Sequence, residues 1–85
     1  MNRPPFHALL PLCQLPAGEM GRVRQIDGSA QFCQRVRELG FGESALVTKI
    51  GGGGGPFVCA VNGCRIALSH AAAQSILVEP FGPRA

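Results

Sequence analysis

Four cysteines, Cys13, Cys33, Cys59 and Cys64, and two histidines, His7 and His70, are the side chains best suited to hold a soft metal or act as nucleophiles. A zinc site needs further donors at close spacing, and neither a CxxC nor an HxxxH pair occurs. Cys59 and Cys64 flank an Asn-Gly turn. The register of that turn puts both on the face shared by Phe57 and Ile66, where a thiol packs as a small apolar group. His7 and His70 have no neighbouring acid to set a catalytic tautomer. Ser29, Ser44, Ser69 and Ser75 sit at caps or strand edges, outside any nucleophile elbow. The five glycines at 51–55 are followed by Pro56 and a strand, not by the Lys-Ser or Lys-Thr that opens a helix in a phosphate loop, so they read as a connector. Arg22 and Arg24 with Arg35 and Arg37 outline a modest basic patch. No aromatic residue interleaves with it, and a solvated surface is the better reading than a nucleic-acid face. No catalytic residue, metal ligand or cofactor site is assigned.

The elements that must position these groups belong to one small unit. At 85 residues the chain is a single domain of marginal stability, too small to sustain a roomy active-site cleft easily, which favours a binding or regulatory module over an enzyme. A net charge of +3, from 8 basic and 5 acidic residues, names no partner by itself. With five Phe and no Trp or Tyr, aliphatic side chains must fill the core. The apolar patch at 8–13 is short and broken by Pro11, and Leu12 stands where a lipoprotein site needs a small residue before Cys13. A cytoplasmic chain with reduced thiols is therefore expected.

Residues 1–12 read as an extended lead-in, 13–80 as the folded unit and 81–85 as a fraying tail. A strand over 20–26 has imperfect parity: Val23 and Ile26 face the same side only if a bulge lies near Arg24 and Gln25. The spacing of Phe32, Cys33, Val36 and Leu39 predicts a helix over 29–39, capped by Ser29 and ended by Gly40, with Phe41 folding back toward Val36. A strand over 45–50 follows. Asn62-Gly63 then predicts a two-residue hairpin pairing Val61 with Cys64, Ala60 with Arg65 and Cys59 with Ile66, so that Phe57, Cys59, Val61, Cys64, Ile66 and Leu68 share one face. Ser69 caps a single helical turn, and 76–78 closes the set. Mainly β structure with one inserted helix and a short C-terminal helical turn points to a small closed barrel.

The ordered motifs Leu15-Pro16-Ala17-Gly18-Glu19-x-Gly21-x-Val23, Arg37-Glu38-Leu39-Gly40-Phe41, Gly55-Pro56-Phe57-Val58, Val61-Asn62-Gly63-x-x-Ile66-Ala67-Leu68 and Ala73-x-x-Ile76-x-Val78 resemble the FeoA family of bacterial ferrous-iron transport over about residues 12–80. The resemblance implies an SH3-like β-barrel without catalysis or cofactor of its own. It also implies association with FeoB, a membrane transporter with a cytosolic GTPase domain, so that the chain meets the membrane only through that partner. Two departures stand out. Glu43-Ser44 replaces the Pro-Gly that family members often carry before the second strand, and the glycine run replaces a more varied loop. The same barrel type ends iron-dependent repressors, but no DNA-reading helix-turn-helix precedes it here.

Loops on a rigid barrel are where such domains carry contacts, so the expected partner-binding residues are Pro16, Gly18, Glu19, Gly40, Phe41, Glu43, Gly53 and Pro56. Self-association stays open. Two alternatives from other classes are a small chaperone passing Fe(II) or Zn(II) between Cys and His donors, against which thiol softness speaks for Fe(II), and a nucleic-acid-binding barrel, whose retention would have to fall with salt.

Overall fold

The computed structural model describes residues 9–51 and 57–82. In chain order they form β1 (Leu10–Pro11), a 3-10 turn (Leu12–Gln14), β2 (Met20–Ile26), α1 (Ala30–Glu38), β3 (Leu46–Gly51), β4 (Phe57–Val61), β5 (Cys64–Leu68), α2 (His70–Gln74) and β6 (Ile76–Gly82). The strands make one antiparallel sheet in the order β1-β6-β2-β3-β4-β5.

Local chemistry explains the elements. Asn62 and Gly63 both take positive φ, 54° and 79°, the requirement of the hairpin turn whose twist matches the strands. The predicted register follows, with Val61 opposite Cys64, Ala60 opposite Arg65 and Cys59 opposite Ile66. In β2 the pairing with β6 steps from Val23↔Val78 to Gln25↔Leu77, so Arg24 is the bulged residue and Val23 and Ile26 are both buried. Ser29 caps α1 by accepting the Phe32 N–H at 3.0 Å, and Ser69 caps α2 by accepting the Ala72 N–H at 3.1 Å.

The core is aliphatic, as the composition requires: Leu12, Leu15, Val23, Val36, Val47, Val61, Ile76 and Val78 surround Phe41 and Cys59. Burying a side chain such as Phe41 contributes roughly 1.5–3 kcal/mol relative to leaving it in water.

Four expectations need correction. Among the described residues the hydrogen-bonded ladder does not close, since β1 and β5 are its two ends; α2 packs instead against the 3-10 turn, β5 and β6. Leu39, placed on the buried stripe of α1, is 44% exposed, because the helix lies on the core through Val36 and its last turn passes beyond it. Cys64 is exposed although it has the inward parity of Cys59, since it stands at the turn end of β5, past the edge of the core. Phe81 and Gly82, read as tail, continue β6 to pair alongside Met20.

Candidate functional site

The turn Pro16-Ala17-Gly18-Glu19 is built by a Glu19 N–H donating to the Pro16 carbonyl at 3.0 Å, with Gly18 at φ +88° in its third position. Two further bonds pin it to the end of β3: Gly18 N–H donates to the Lys49 carbonyl at 2.7 Å, and Lys49 N–H to the Glu19 carbonyl at 3.0 Å. Pro16 and Gly18 are exposed and Glu19 is half-buried. Beside them the Lys49 Nζ lies 4.6 Å from the Phe57 ring centroid, which holds a cation over an aromatic face at the rim of the core. Gly53 and Pro56, expected on the neighbouring connector, lie outside the described residues.

The remaining predicted residues gather at the opposite end of β3. Gly40, at φ +111°, ends α1 with two bonds that close a helix terminus: Gly40 N–H to the Arg37 carbonyl at 3.0 Å and Phe41 N–H to the Val36 carbonyl at 3.1 Å. That second bond turns Phe41 back onto Val36, and Phe41 is fully buried. Phe41 therefore anchors the loop and offers no surface to a partner, contrary to its placement among the contact residues. The next turn closes with Ala45 N–H to the Gly42 carbonyl at 2.9 Å and is tied to β2 by Ser44 N–H to the Val23 carbonyl at 2.7 Å. Ser44 has φ +77°, so it takes the left-handed position that the Gly of a Pro-Gly turn would take, and the turn survives the Glu43-Ser44 departure. Glu43 is exposed and accepts two bonds from Arg37, at 3.1 and 2.9 Å. Those bonds, and one from its own backbone N–H, hold its carboxyl at about 2, while Glu43 raises Arg37 in turn.

The structure thus splits the expected contact residues into two groups, Pro16, Gly18 and Glu19 at one end of β3, and Gly40 and Glu43 at the other. The first group is held at Lys49 and the second at Ala45, so about 14 Å of extended chain separates them.

The thiols stay dispersed. Cys59 is fully buried and its thiol is pushed up to about 11 by desolvation, which keeps it protonated and unreactive in the folded protein. Cys13 and Cys33 are half-buried against the core, and Cys64 is exposed. Among the described residues no three His, Cys, Asp or Glu side chains come together as metal ligands, and no helix is long and apolar enough to cross a membrane. His70 begins α2, and His7 lies outside the described residues.

Nor do the four arginines make a free basic patch, because all but the exposed Arg35 are engaged. Arg24 pairs with Glu79 at 2.8 Å and Arg37 with Glu43, while Arg22 donates to the Ser44 carbonyl at 2.9 Å and lies 5.5 Å from the centroid of the Phe81 ring. Sequence reasoning missed the outward residues Ile50 and Phe81, which are 39% and 49% exposed. The alternation of Val47 inward and Ile50 outward could have disclosed the first; the second was hidden by the Gly82-Pro83 pair, which reads as a tail.

The FeoA domain model matches residues 10–80. A Stenotrophomonas maltophilia FeoA solved with zinc and described as a procaryotic SH3 domain protein is 32% identical; the match covers 79% of this chain and 86% of that one, with a TM-score of 0.70. An iron uptake regulatory protein of the FeoA type shares the fold at 24% identity and a TM-score of 0.80, over 87% of this chain and 99% of that one. A manganese-dependent transcriptional repressor shares the fold as well, at 20% identity and a TM-score of 0.79, but the match covers 91% of this chain and only 44% of the repressor. No curated protein matches at a significant level. With a family model spanning nearly the whole described sheet and a relative at 32% identity over most of both chains, the chain belongs to the FeoA family.

Proposed function

We propose that the chain is a non-catalytic accessory of ferrous iron transport that acts in the cytoplasm by docking onto the GTPase portion of a FeoB-type transporter and altering its activity. The family match over residues 10–80 carries the iron-transport part of this reading. The relative from Stenotrophomonas maltophilia is described as a candidate ferrous iron transport activating factor, which favours the same role here. Support for docking comes from the hydrogen-bonded turns at both ends of β3, since loops held in place before binding lose little freedom on contact.

The test is binding of the full chain to the purified cytosolic domain of a FeoB transporter from the same cell, by calorimetry, with GTP hydrolysis followed in parallel. Saturable binding with a change in hydrolysis rate is expected. Neither binding nor a rate change, with both proteins folded, refutes the transporter reading.

A further inference from the structure

The tip of the β4–β5 hairpin sets an asparagine amide beside the residue that least hinders its reaction. Asn62 and Gly63 are both exposed and are the two turn residues between the paired Val61 and Cys64. Asparagine followed by glycine cyclises, because glycine has no side chain to keep its nitrogen away from the asparagine Cγ. The Gly63 nitrogen bonds to Cγ, the Cγ–Nδ2 bond breaks, and the proton lost from Gly63 leaves on the departing amide nitrogen as ammonia. A five-membered imide remains. Water then opens the imide at either carbonyl. Attack at Cγ gives aspartate, and attack at the main-chain carbonyl gives isoaspartate, in which the chain runs on through the former side chain. The balance needs water alone.

The folded turn forbids that ring closure. An imide requires the Gly63 nitrogen to be eclipsed with the Asn62 Cβ about the Cα–C bond. Asn62 is left-handed at φ +54°, and left-handed residues have ψ of about +47°, which sets that nitrogen about 165° from Cβ. The reacting atoms are thus turned nearly as far apart as the bond allows, and bringing them together breaks the pairing of Val61 with Cys64. The reaction therefore needs an open hairpin. Among the described residues β5 pairs with β4 alone, so the tip opens while β6, β2 and β3 stay joined.

Closing again after the reaction is a different matter. A two-residue turn has a fixed backbone length, and isoaspartate adds a methylene to it, so Val61 and Cys64 no longer meet in register. Cys59 opposite Ile66 and Phe57 opposite Leu68 depend on the same register, and Cys59, Phe57 and Leu68 are buried. The aspartyl product keeps the turn, since Asp-Gly suits it as Asn-Gly does. It places a carboxylate where the Asn62 amide now rests on the end of α1, at 2.9 Å from the position of a Cβ on Gly40, and the helix's last carbonyls repel a negative charge there.

We propose that Asn62-Gly63 is a self-modification site gated by local opening of the β4–β5 hairpin, and that its isoaspartyl product holds the hairpin open. Chemical conversion of a transiently opened state makes a reversible motion irreversible. The inference stands apart from any partner.

The experiment incubates the reduced full chain at neutral pH, folded in buffer and unfolded in guanidinium chloride. Conversion at Asn62 is followed by mass spectrometry, with electron-transfer fragmentation to tell isoaspartate from aspartate. The unfolded chain should convert at least roughly tenfold faster, and the ratio of rates should match the open fraction read from hydrogen exchange of the Cys64 amide. Gly40→Ala, which crowds the Asn62 amide, should speed conversion of the folded chain roughly fivefold. Gly18→Ala, where an added Cβ meets nothing within 4 Å, should lower the unfolding midpoint yet leave the rate within about twofold. The purified isoaspartyl form should be alkylated at Cys59 roughly tenfold faster than the unmodified chain. Should Gly40→Ala fail to fold, the unmodified chain and Gly18→Ala still decide. The proposal is overturned by equal rates in the folded and unfolded chains, which would mean that the turn cyclises in place, or by no conversion in the unfolded chain. It is equally overturned by a Gly18→Ala rate that rises in step with the lost stability, which would mean global unfolding, by a folded Gly40→Ala chain converting no faster than the unmodified one, or by an isoaspartyl form whose Cys59 stays protected.

Discussion

Gly40→Ala isolates the geometry that joins α1 to β3. Gly40 sits at φ +111°, and a Cβ placed on it would lie 2.9 Å from the Asn62 Nδ2 and 3.6 Å from a Val61 methyl. Holding an alanine at that φ costs about 1–3 kcal/mol. Pushing the Asn62 amide aside adds about 1 kcal/mol, and the stiffer unfolded chain returns about 0.4–1 kcal/mol. The net loss is about 1–3.5 kcal/mol, which for a domain of this size lowers the melting temperature on the order of 10 °C. With no Trp or Tyr to report by fluorescence, the assay is urea unfolding by far-UV circular dichroism, read as a lower midpoint at unchanged slope. Asn62→Gly provides the control, because glycine accepts the φ of +54° there and removes the amide. In that background Gly40→Ala should cost about 1 kcal/mol less, a coupling that a double-mutant cycle resolves. Equal cost in both backgrounds refutes the crowding, and no cost in either refutes the left-handed helix terminus.

Gly18→Ala, at φ +88° with nothing within 4 Å of the added Cβ, should lose only the conformational part, about 0.5–2 kcal/mol by the same unfolding assay. Ser44→Gly removes a serine from φ +77° and should stabilise by about 0.5–1 kcal/mol; a lower midpoint would mean that the serine side chain supports the turn. Because Arg37 lowers the Glu43 carboxyl from 4.5 to about 2, the pair stabilises above the unfolded value and its contribution is lost as pH falls from 4.5 toward 2; Glu43→Gln should flatten that part of the stability–pH curve by lowering stability slightly at neutral pH, as for an exposed ion pair, while leaving it nearly unchanged near pH 2. Burial raises the Cys59 thiol from 9.0 to about 11, so its contribution holds below pH 9 and fades toward 11, and alkylation followed by mass spectrometry at pH 8 should label Cys64 at least tenfold faster than Cys59.

Local chemistry was the legible part of this fold. Asn62-Gly63 has one hairpin geometry open to it, Ser29 and Ser69 have one set of N–H groups to cap, and the conflict between Val23 and Ile26 has one simple resolution in a bulge. Each depends on residues within a few positions of one another. What depended on distant packing was not legible. Parity assigned Cys64 and Leu39 to the inner side but carried no information on where the core ends, and both lie beyond that edge. Pro80 made the end of β6 look like a stop. Yet among the described residues β1 pairs with β6 only at Leu77 and Val78, so no described residue asks Pro80 for a ladder bond on the side away from β2. The contact residues were chosen as loops, which was sound chemistry, but the choice could not see that β3 divides them into two groups or that Phe41 turns inward.

The same division bears on where specificity can reside. β3 is held by a hydrogen-bonded turn on each side of its middle: Gly18 and Glu19 bind Lys49, and the Ser44 turn ties its entry to β2. With both ends held, the outward residues between them are presented on a rigid surface, and docking there requires little ordering. Glycine-rich turns supply backbone geometry but few side chains with which to tell partners apart. Gly18→Ala should therefore change stability more than choice of partner, whereas the exposed side chains of Ile50 and Phe81 can be exchanged with little effect on the fold.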